Sequence, residues 1–265
     1  MTAGHICHGK EHQLDRMEAT FAEHDRTKSD KGEFRLVPDK MVIHPQFDIA
    51  TLENDVCMLF FRDIGSFVKA AGTVSHACLP PMGSVVPDGT RCWVAGWGSQ
   101  SETTIAQSNQ LHEIAVAYIG TKMCNSEKIY DSELHIHSMV CAGSLDGAVD
   151  ACVGDSGSPL ICAEKGAPVI RGTVSWGIGC ARSGFPGVYA HTSKLASWIM
   201  DQTSQEIAED TGIAEEAPVL LPGNLVCKHR KLGHLAPTQE QLDKEKQIRN
   251  PLSKVLSAVS RIILT

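Results

Sequence analysis

The chain has 265 residues, 42% of them hydrophobic and 21% charged, which is enough apolar surface for one large all-β unit or two small domains and excludes disorder throughout. A formal net charge of -7 offers no basic face to nucleic acid or anionic lipid, leaving protein or peptide partners. No run of twenty apolar residues is present, so no membrane span is expected, while ten cysteines point to an oxidising, extracellular destination.

The first residues, Met1 to His5, lack the charged start and apolar core of a signal peptide; the expectation is a secreted protein whose upstream part is not in this sequence. From residue 34 to residue 200, short apolar stretches alternate with Gly, Pro, Asp and Ser turns, the pattern of strands in a barrel or sandwich without long helices. Strand cores are expected at 42–43, 56–61, 93–95, 160–162, 172–176 and 187–189. The breaker-rich stretch 78–89 reads as a crossing between two halves. Beyond it, Leu195, Trp198 and Ile199 recur at helical spacing behind Thr192 or Ser193, either of which suits a cap, and this helix should close the globular part. Residues 201–265 change composition, with Glu-rich and Pro-containing segments, a Lys/Glu-rich stretch and an apolar end at 255–264. This tail is expected outside the barrels, as a helix docking on a partner or, favoured by composition, as a solvated extension.

Chemistry concentrates in Asp150, Cys152, Gly154, Asp155, Ser156, Gly157, Ser158 and Pro159, followed by an apolar strand. A serine hydroxyl is a poor nucleophile, so it needs a tight glycine-flanked turn and backbone N–H groups aimed at the developing oxyanion, which Gly154 and Ser156 could supply. An ordinary Gly/Ser turn is the competing reading of this stretch taken alone.

With Val174, Ser175, Trp176, Gly177, Gly179 and Cys180, then Pro186, Gly187, Val188 and Tyr189, and with Cys92 to Gly98 reading Cys-Trp-Val-Ala-Gly-Trp-Gly, the stretch resembles the chymotrypsin/trypsin family of serine proteases over roughly residues 2–200. The resemblance implies an all-β fold of two antiparallel Greek-key β-barrels with a C-terminal helix and an extra tail. Residues 1–85 are the remainder of an incomplete first barrel, 86–200 the second barrel and closing helix, and 201–265 the extension. It implies Ser156 as nucleophile, Asp55 as the buried carboxylate that orients a histidine, Ser175 as its hydrogen-bonding serine, and Gly154 and Ser156 as the oxyanion hole. Thr2, Ala3, Gly4, His5, Ile6 and Cys7 resemble the family's Thr-Ala-Ala-His-Cys, with Gly for the second Ala and Ile6 inserted between histidine and cysteine, which makes His5 the base. A metal cluster of His5, His8 and His12 at helical spacing is the rival reading. Asp150 matches the floor of the primary pocket, where a carboxylate pairs with a substrate Arg or Lys, and Ser175, Trp176, Gly177 and Gly187 match its lining.

The resemblance further implies disulfides Cys92–Cys162, Cys124–Cys141 and Cys152–Cys180. It leaves Cys7 and Cys78 without their usual upstream partners, Cys57 as a buried thiol and Cys227 unassigned. No cofactor is required for catalysis. The stretch 23–33 resembles the family's calcium loop, with Glu23, Asp30 and Glu33 as oxygen ligands; a solvated acidic turn competes with it. Expected partners are protein or peptide substrates with Arg or Lys at the cleavage site, and a protein inhibitor; nothing in the sequence sets an oligomeric state. Three departures stand out. Strands before the histidine and a cleaved amino terminus to pair with Asp155 are not in the sequence, and Ser158 replaces a glycine. They predict a disordered pocket and open strand edges, and they keep alive the alternative of a truncated, non-catalytic homologue that acts by binding or has no function of its own.

Overall fold

Short apolar runs fill the second half of the chain, where β5 (Arg91–Gly96), β6 (His112–Ile119), β7 (Met139–Gly143), β8 (Pro159–Glu164), β9 (Ala167–Trp176) and β10 (Gly187–His191) follow one another in sequence. In the computed structural model, which describes residues 1–211 and 261–264 apart from 63 and 73, these strands close into a barrel in the order β10-β7-β6-β5-β8-β9. Successive side chains of a strand point to opposite faces. Cys92 and Val94 of β5 therefore point inward with Val116 and Tyr118 of β6, Leu160 and Cys162 of β8 and Tyr189 of β10, forming one buried cluster. The register sets Cys92 opposite Cys162, and the expected disulfide joins them.

The first half is built from two small antiparallel sheets. One pairs β3 (Lys40–Ile43) with β4 (Cys57–Phe60). The other pairs β1 (Met17–Phe21) with β2 (Phe34–Leu36) on one side and with β11 (Arg261–Leu264) on the other. The end of the tail is thus part of the first half, against the expectation that the whole tail lies outside the barrels, with Met17 to Thr20 facing Leu264 to Arg261 in antiparallel register. The reason is local: an edge strand carries a row of N–H and C=O groups that an extended segment satisfies, and composition alone does not reveal such a distant partner. The expected open edge at β1 is covered in the same way. Residues 212–260, including Cys227 and most of the expected docking segment, lie outside the described residues.

The expected strand cores fall within β3, β5, β8, β9 and β10, and that at 56–61 is trimmed by one residue at each end. Short helices α1 (Gly4–Cys7), α2 (Ile64–Ala71) and α3 (Thr121–Cys124) precede the long α4 (Thr192–Thr211). The last of these contains the expected Leu195 and Ile199, packed on Val56 and Ala190, and runs past residue 200 to be tied to β3 by the Lys40–Glu206 pair at 2.9 Å. Among the described residues no helix is long and apolar enough to cross a membrane.

Cys124–Cys141 and Cys152–Cys180 form as expected. Three other cysteine assignments are corrected. Cys7 and Cys57, expected as an unpaired cysteine and a buried thiol, are joined to each other across 50 residues, with Cα atoms 6.5 Å apart; this Cα spacing lies within the reach of a disulfide. Cys78, expected unpaired, is also disulfide-bonded. In an unfolded chain, closing the 50-residue loop between Cys7 and Cys57 removes entropy equivalent to about 4 kcal/mol.

The crossing stretch is locked onto the barrel by a buried cation. Arg171 of β9, 2% exposed, donates through Nε and Nη2 to the two carboxylate oxygens of Glu164 at 2.5 Å, and through Nη1 to the Ser84 carbonyl and hydroxyl at 2.9 Å. Removing one partner of a buried pair strands the other charge. Glu164→Ala is expected to lower stability by roughly 3–5 kcal/mol, read as a shifted urea midpoint. The double change Glu164→Ala with Arg171→Met should regain most of that loss.

Candidate active site

The turn before β4 sets the geometry. Leu52 and Asn54 hold left-handed φ values of 57° and 53°, and Asn54 is fixed by its side-chain amide donating to the Gln46 carbonyl at 3.0 Å. Asp55, next in sequence and 1% exposed, is thereby turned inward. Its Oδ1 accepts the backbone N–H of His5 at 2.8 Å, while its Oδ2 lies 2.8 Å from His5 Nδ1 and accepts the Ser175 hydroxyl at 2.5 Å. A carboxylate facing Nδ1 requires the proton on that nitrogen, which leaves the Nε2 lone pair free to act as a base. Gly4 answers to the same crowding: a Cβ there would come within 3.2 Å of Asp55 Oδ1 and 3.1 Å of the Phe47 ring. His5 is thus committed to Asp55, and among the described residues His5, His8 and His12 form no metal cluster.

Ser156 is exposed on a turn between Gly154 (φ 99°) and Gly157 (φ 81°), angles that side-chain-bearing residues rarely adopt. The turn lies against the segment that carries His5. A Cβ at Gly157 would strike the Thr2 hydroxyl and stand 3.3 Å from the Ala3 nitrogen. Among the described residues the imidazole hydrogen-bonds Asp55 and not the Ser156 hydroxyl; such contacts are often long before substrate binds. Asp155 N–H donates to the Cys152 carbonyl, Gly157 N–H to Val174 and Ser158 N–H to Asp155. The N–H groups of Gly154 and Ser156 find no acceptor among the described residues, so both are available to an incoming oxyanion. Ser158 is buried, and its carbonyl accepts the Val174 N–H at 2.8 Å, so the turn accommodates it.

Beside Ser156 a formed cavity of about 170 Å³ is lined by Asp150, Ser175, Trp176, Gly177, Gly187 and Tyr189, among others, in contrast to the disorder expected of this pocket. Gly177 and Gly187 face one another across it: a Cβ on Gly177 would lie 3.9 Å from Gly187 Cα, and one on Gly187 only 2.6 Å from Asp150 Oδ1. Side chains at either position would fill the slot above the carboxylate. Among the described residues Asp150 accepts backbone donors and no side-chain one, with Ala151 N–H at 2.8 Å and Ala181 N–H at 3.2 Å. Burial pushes its carboxyl up to about 6. Cys152–Cys180 clamps the loop that carries Ser156 to the pocket wall. The outer wall has a further support that sequence reading missed: Glu102 accepts from Arg182 Nε at 3.0 Å and pairs with its Nη2, and it also accepts the Cys180 N–H at 3.4 Å. No motif marks that pair, because its members are 80 positions apart.

Asp155 lies behind the turn, accepting Gly98 N–H at 2.9 Å and Cys152 N–H at 3.0 Å, with burial raising its carboxyl above the ordinary value. A second cavity, of about 330 Å³, opens beside it. On the first half, Glu23, Asp30 and Glu33 bring carboxylate oxygens within 4.8 Å of one another. Glu23 is 5% exposed, its Oε1 has no hydrogen-bond partner, and burial followed by the Glu33 and Asp30 charges raises its carboxyl. An all-oxygen set with one buried, unsatisfied oxygen fits a hard cation such as calcium.

Comparison with known proteins gives the same grouping. The family model described as trypsin matches residues 1–199. The chain is 36% identical to human transmembrane protease serine 5 over 191 residues, 72% of this chain and 40% of that protein. It is 38% identical to rat transmembrane protease serine 9 over 176 residues, 66% of this chain and 16% of that protein. With mouse hepatocyte growth factor activator serine protease it shares 40% over 129 residues, 49% of this chain and 20% of that protein. The chain thus spans well under two thirds of the length of these relatives. A family match over three quarters of the sequence, on a closed antiparallel barrel with these disulfides, makes the chain a member of the trypsin family of serine proteases.

Proposed function

We propose that the chain is a serine endopeptidase that cleaves after Arg or Lys in protein substrates. The observation that carries this reading is one cavity lined by Ser156, Asp150 and Ser175, whose Ser175 hydroxyl bonds the same Asp55 carboxylate that holds the backbone and ring of His5. In the proposed reaction the substrate cation enters the slot between Gly177 and Gly187 and pairs with Asp150. The Ser156 hydroxyl gives its proton to His5 Nε2 as its oxygen bonds to the scissile carbonyl carbon, and the N–H groups of Gly154 and Ser156 receive the oxyanion. His5 returns the proton to the amide nitrogen as the C–N bond breaks, leaving an acyl ester on Ser156, which water hydrolyses by the same route. Asp55 holds the tautomer and stabilises the imidazolium. Asp155 and the cavity beside it suit an entering amine, which the family resemblance assigns to a cleaved amino terminus.

Four disulfides on named partners support an oxidising, extracellular setting. Glu23, Asp30 and Glu33 would hold a structural calcium away from the chemistry, with no part in bond cleavage. The second reading, a non-catalytic homologue acting by binding, is favoured by the missing hydrogen bond between Ser156 and His5.

An arginine ester substrate separates the two readings. Ser156→Ala is expected to lower kcat by roughly 10⁵-fold or more and Asp55→Asn by about 10⁴-fold through loss of the correct tautomer. No hydrolysis by the activated full-length protein would leave the binding reading. Asp150→Ser should erase the preference for Arg and Lys esters over apolar ones.

The pH dependence follows from Asp150. Its carboxyl is raised from 3.8 to about 6, so folding favours the protonated form, and the free protein loses stability as pH rises through this window. Binding a cation needs the ionised form. In a His5→Ala background, where the imidazole does not contribute, benzamidine should therefore bind about tenfold more weakly per pH unit below 6. Asp150→Asn should abolish that slope. For the calcium site, millimolar calcium should raise Tm by about 3 °C or more, an effect lost in Glu23→Gln; an unchanged Tm would return the loop to a solvated acidic turn.

A further inference from the structure

His5 and Asp55 are each followed, two residues on, by a cysteine, and those two cysteines are bonded to each other. Besides its bonds to Asp55 and the packing of Gly4 on Phe47, the segment carrying the imidazole is held at two points. Helix α1 is a single turn of four residues without a side-chain cap, far below the length at which a helix persists by itself. On its amino-terminal side Thr2 is zipped to Cys57 by two backbone hydrogen bonds of 2.8 Å, Thr2 N–H to the Cys57 carbonyl and Cys57 N–H to the Thr2 carbonyl. On its carboxy-terminal side Cys7, fully buried, is bonded to the equally buried Cys57. Cys57 therefore anchors both ends of the turn, and the His5–Asp55 hydrogen bonds lie between the two anchors. The cysteine pairing implied by the family resemblance would have taken Cys7 elsewhere and left Cys57 as a thiol.

We propose that Cys7 and Cys57 are positioning residues for the catalytic pair, and that their bond keeps the His5 imidazole in register with Asp55. The proposal rests on the triad reading above. It makes this disulfide unlike Cys92–Cys162, which closes a comparable span of 70 residues within the second barrel and touches neither His5 nor Asp55. Catalytic groups tolerate little displacement, since a shift of about 1 Å costs on the order of 100-fold in rate.

The test compares the double variants Cys7→Ala/Cys57→Ala and Cys92→Ala/Cys162→Ala in the full chain. Removing Cys7–Cys57 should lower kcat on the arginine ester ten- to a hundredfold with KM little changed, because the substrate pocket belongs to the second barrel. It should also broaden or abolish the downfield NMR resonance of the His5 Nδ1 proton shared with Asp55. The Cys92/Cys162 variant should lose stability but keep that resonance. Equal kcat and an intact resonance after loss of Cys7–Cys57 would overturn the proposal. If the parent shows the resonance and the variant loses it while neither hydrolyses the ester, positioning holds and the endopeptidase reading fails. Should the first variant not fold, two measurements remain. The single variants Cys7→Ser and Cys57→Ser repeat the NMR readout, and a non-reduced digest of the unmodified protein must contain a peptide cross-linked through Cys7 and Cys57; its absence would refute the assignment.

Discussion

Everything at the site depends on one buried carboxylate. Burying an ionised group is costly unless donors surround it, and Asp55 obtains three: the His5 backbone, the His5 ring and the Ser175 hydroxyl. Those donors come from opposite ends of the fold, the first turn of the chain and strand β9 of the barrel. Satisfying Asp55 is therefore one of the contacts that join the first half to the closed barrel, beside the packing of Val56 on Ala190 and Leu195. The unusual backbone at Leu52 and Asn54 belongs to this arrangement, because strain persists only where surrounding contacts over-determine it. Asn54 has such contacts in the Gln46 carbonyl and the Ser138 hydroxyl, which accepts its N–H at 3.2 Å.

The other two carboxylates of the site are satisfied less completely, and the difference is informative. Asp150 and Asp155 each receive backbone N–H groups but face a cavity, and burial raises both. Each gains from a cation that enters and completes its shell. A protein that relieved this cost internally, with its own Lys or Arg, would be more stable and would have no pocket, which is the usual opposition between stability and function. The slot above Asp150 stays open because Gly177 and Gly187 carry no side chains. Arg182, on the outer wall, is occupied by Glu102.

Legibility in the sequence followed the range of the interactions. Ser156, with its glycines and the apolar strand behind it, announces itself because the turn is made by neighbours in sequence. The strands at 93–95, 160–162 and 172–176 were readable because they are short runs, largely buried on both faces and bounded by turn residues. Strands β1 and β2 were not, being short and mixed in character, and β6 hides its alternation behind a polar start, His112 and Glu113. Helix α2 follows a strand core directly and contains Gly65 and Val68, poor helix formers. The pairing of β11 with β1 could not be read at all, since it joins residues more than two hundred positions apart.

Cys7 is the case in which a local signal was present and was outweighed. Reading by resemblance aligned it with a cysteine that directly follows the histidine, and so gave it that cysteine's partner. The inserted Ile6 changes the outcome for a geometric reason: in a helical turn each added residue rotates the next side chain by about 100° and advances it by about 1.5 Å. A cysteine displaced in this way no longer points where its counterpart does, and in α1 it meets β4, where Cys57 lies opposite. The insertion and the extra cysteine thus explain each other. The matching two-residue offsets from His5 and Asp55 set the cysteine pair and the imidazole–carboxylate pair side by side across α1 and β4.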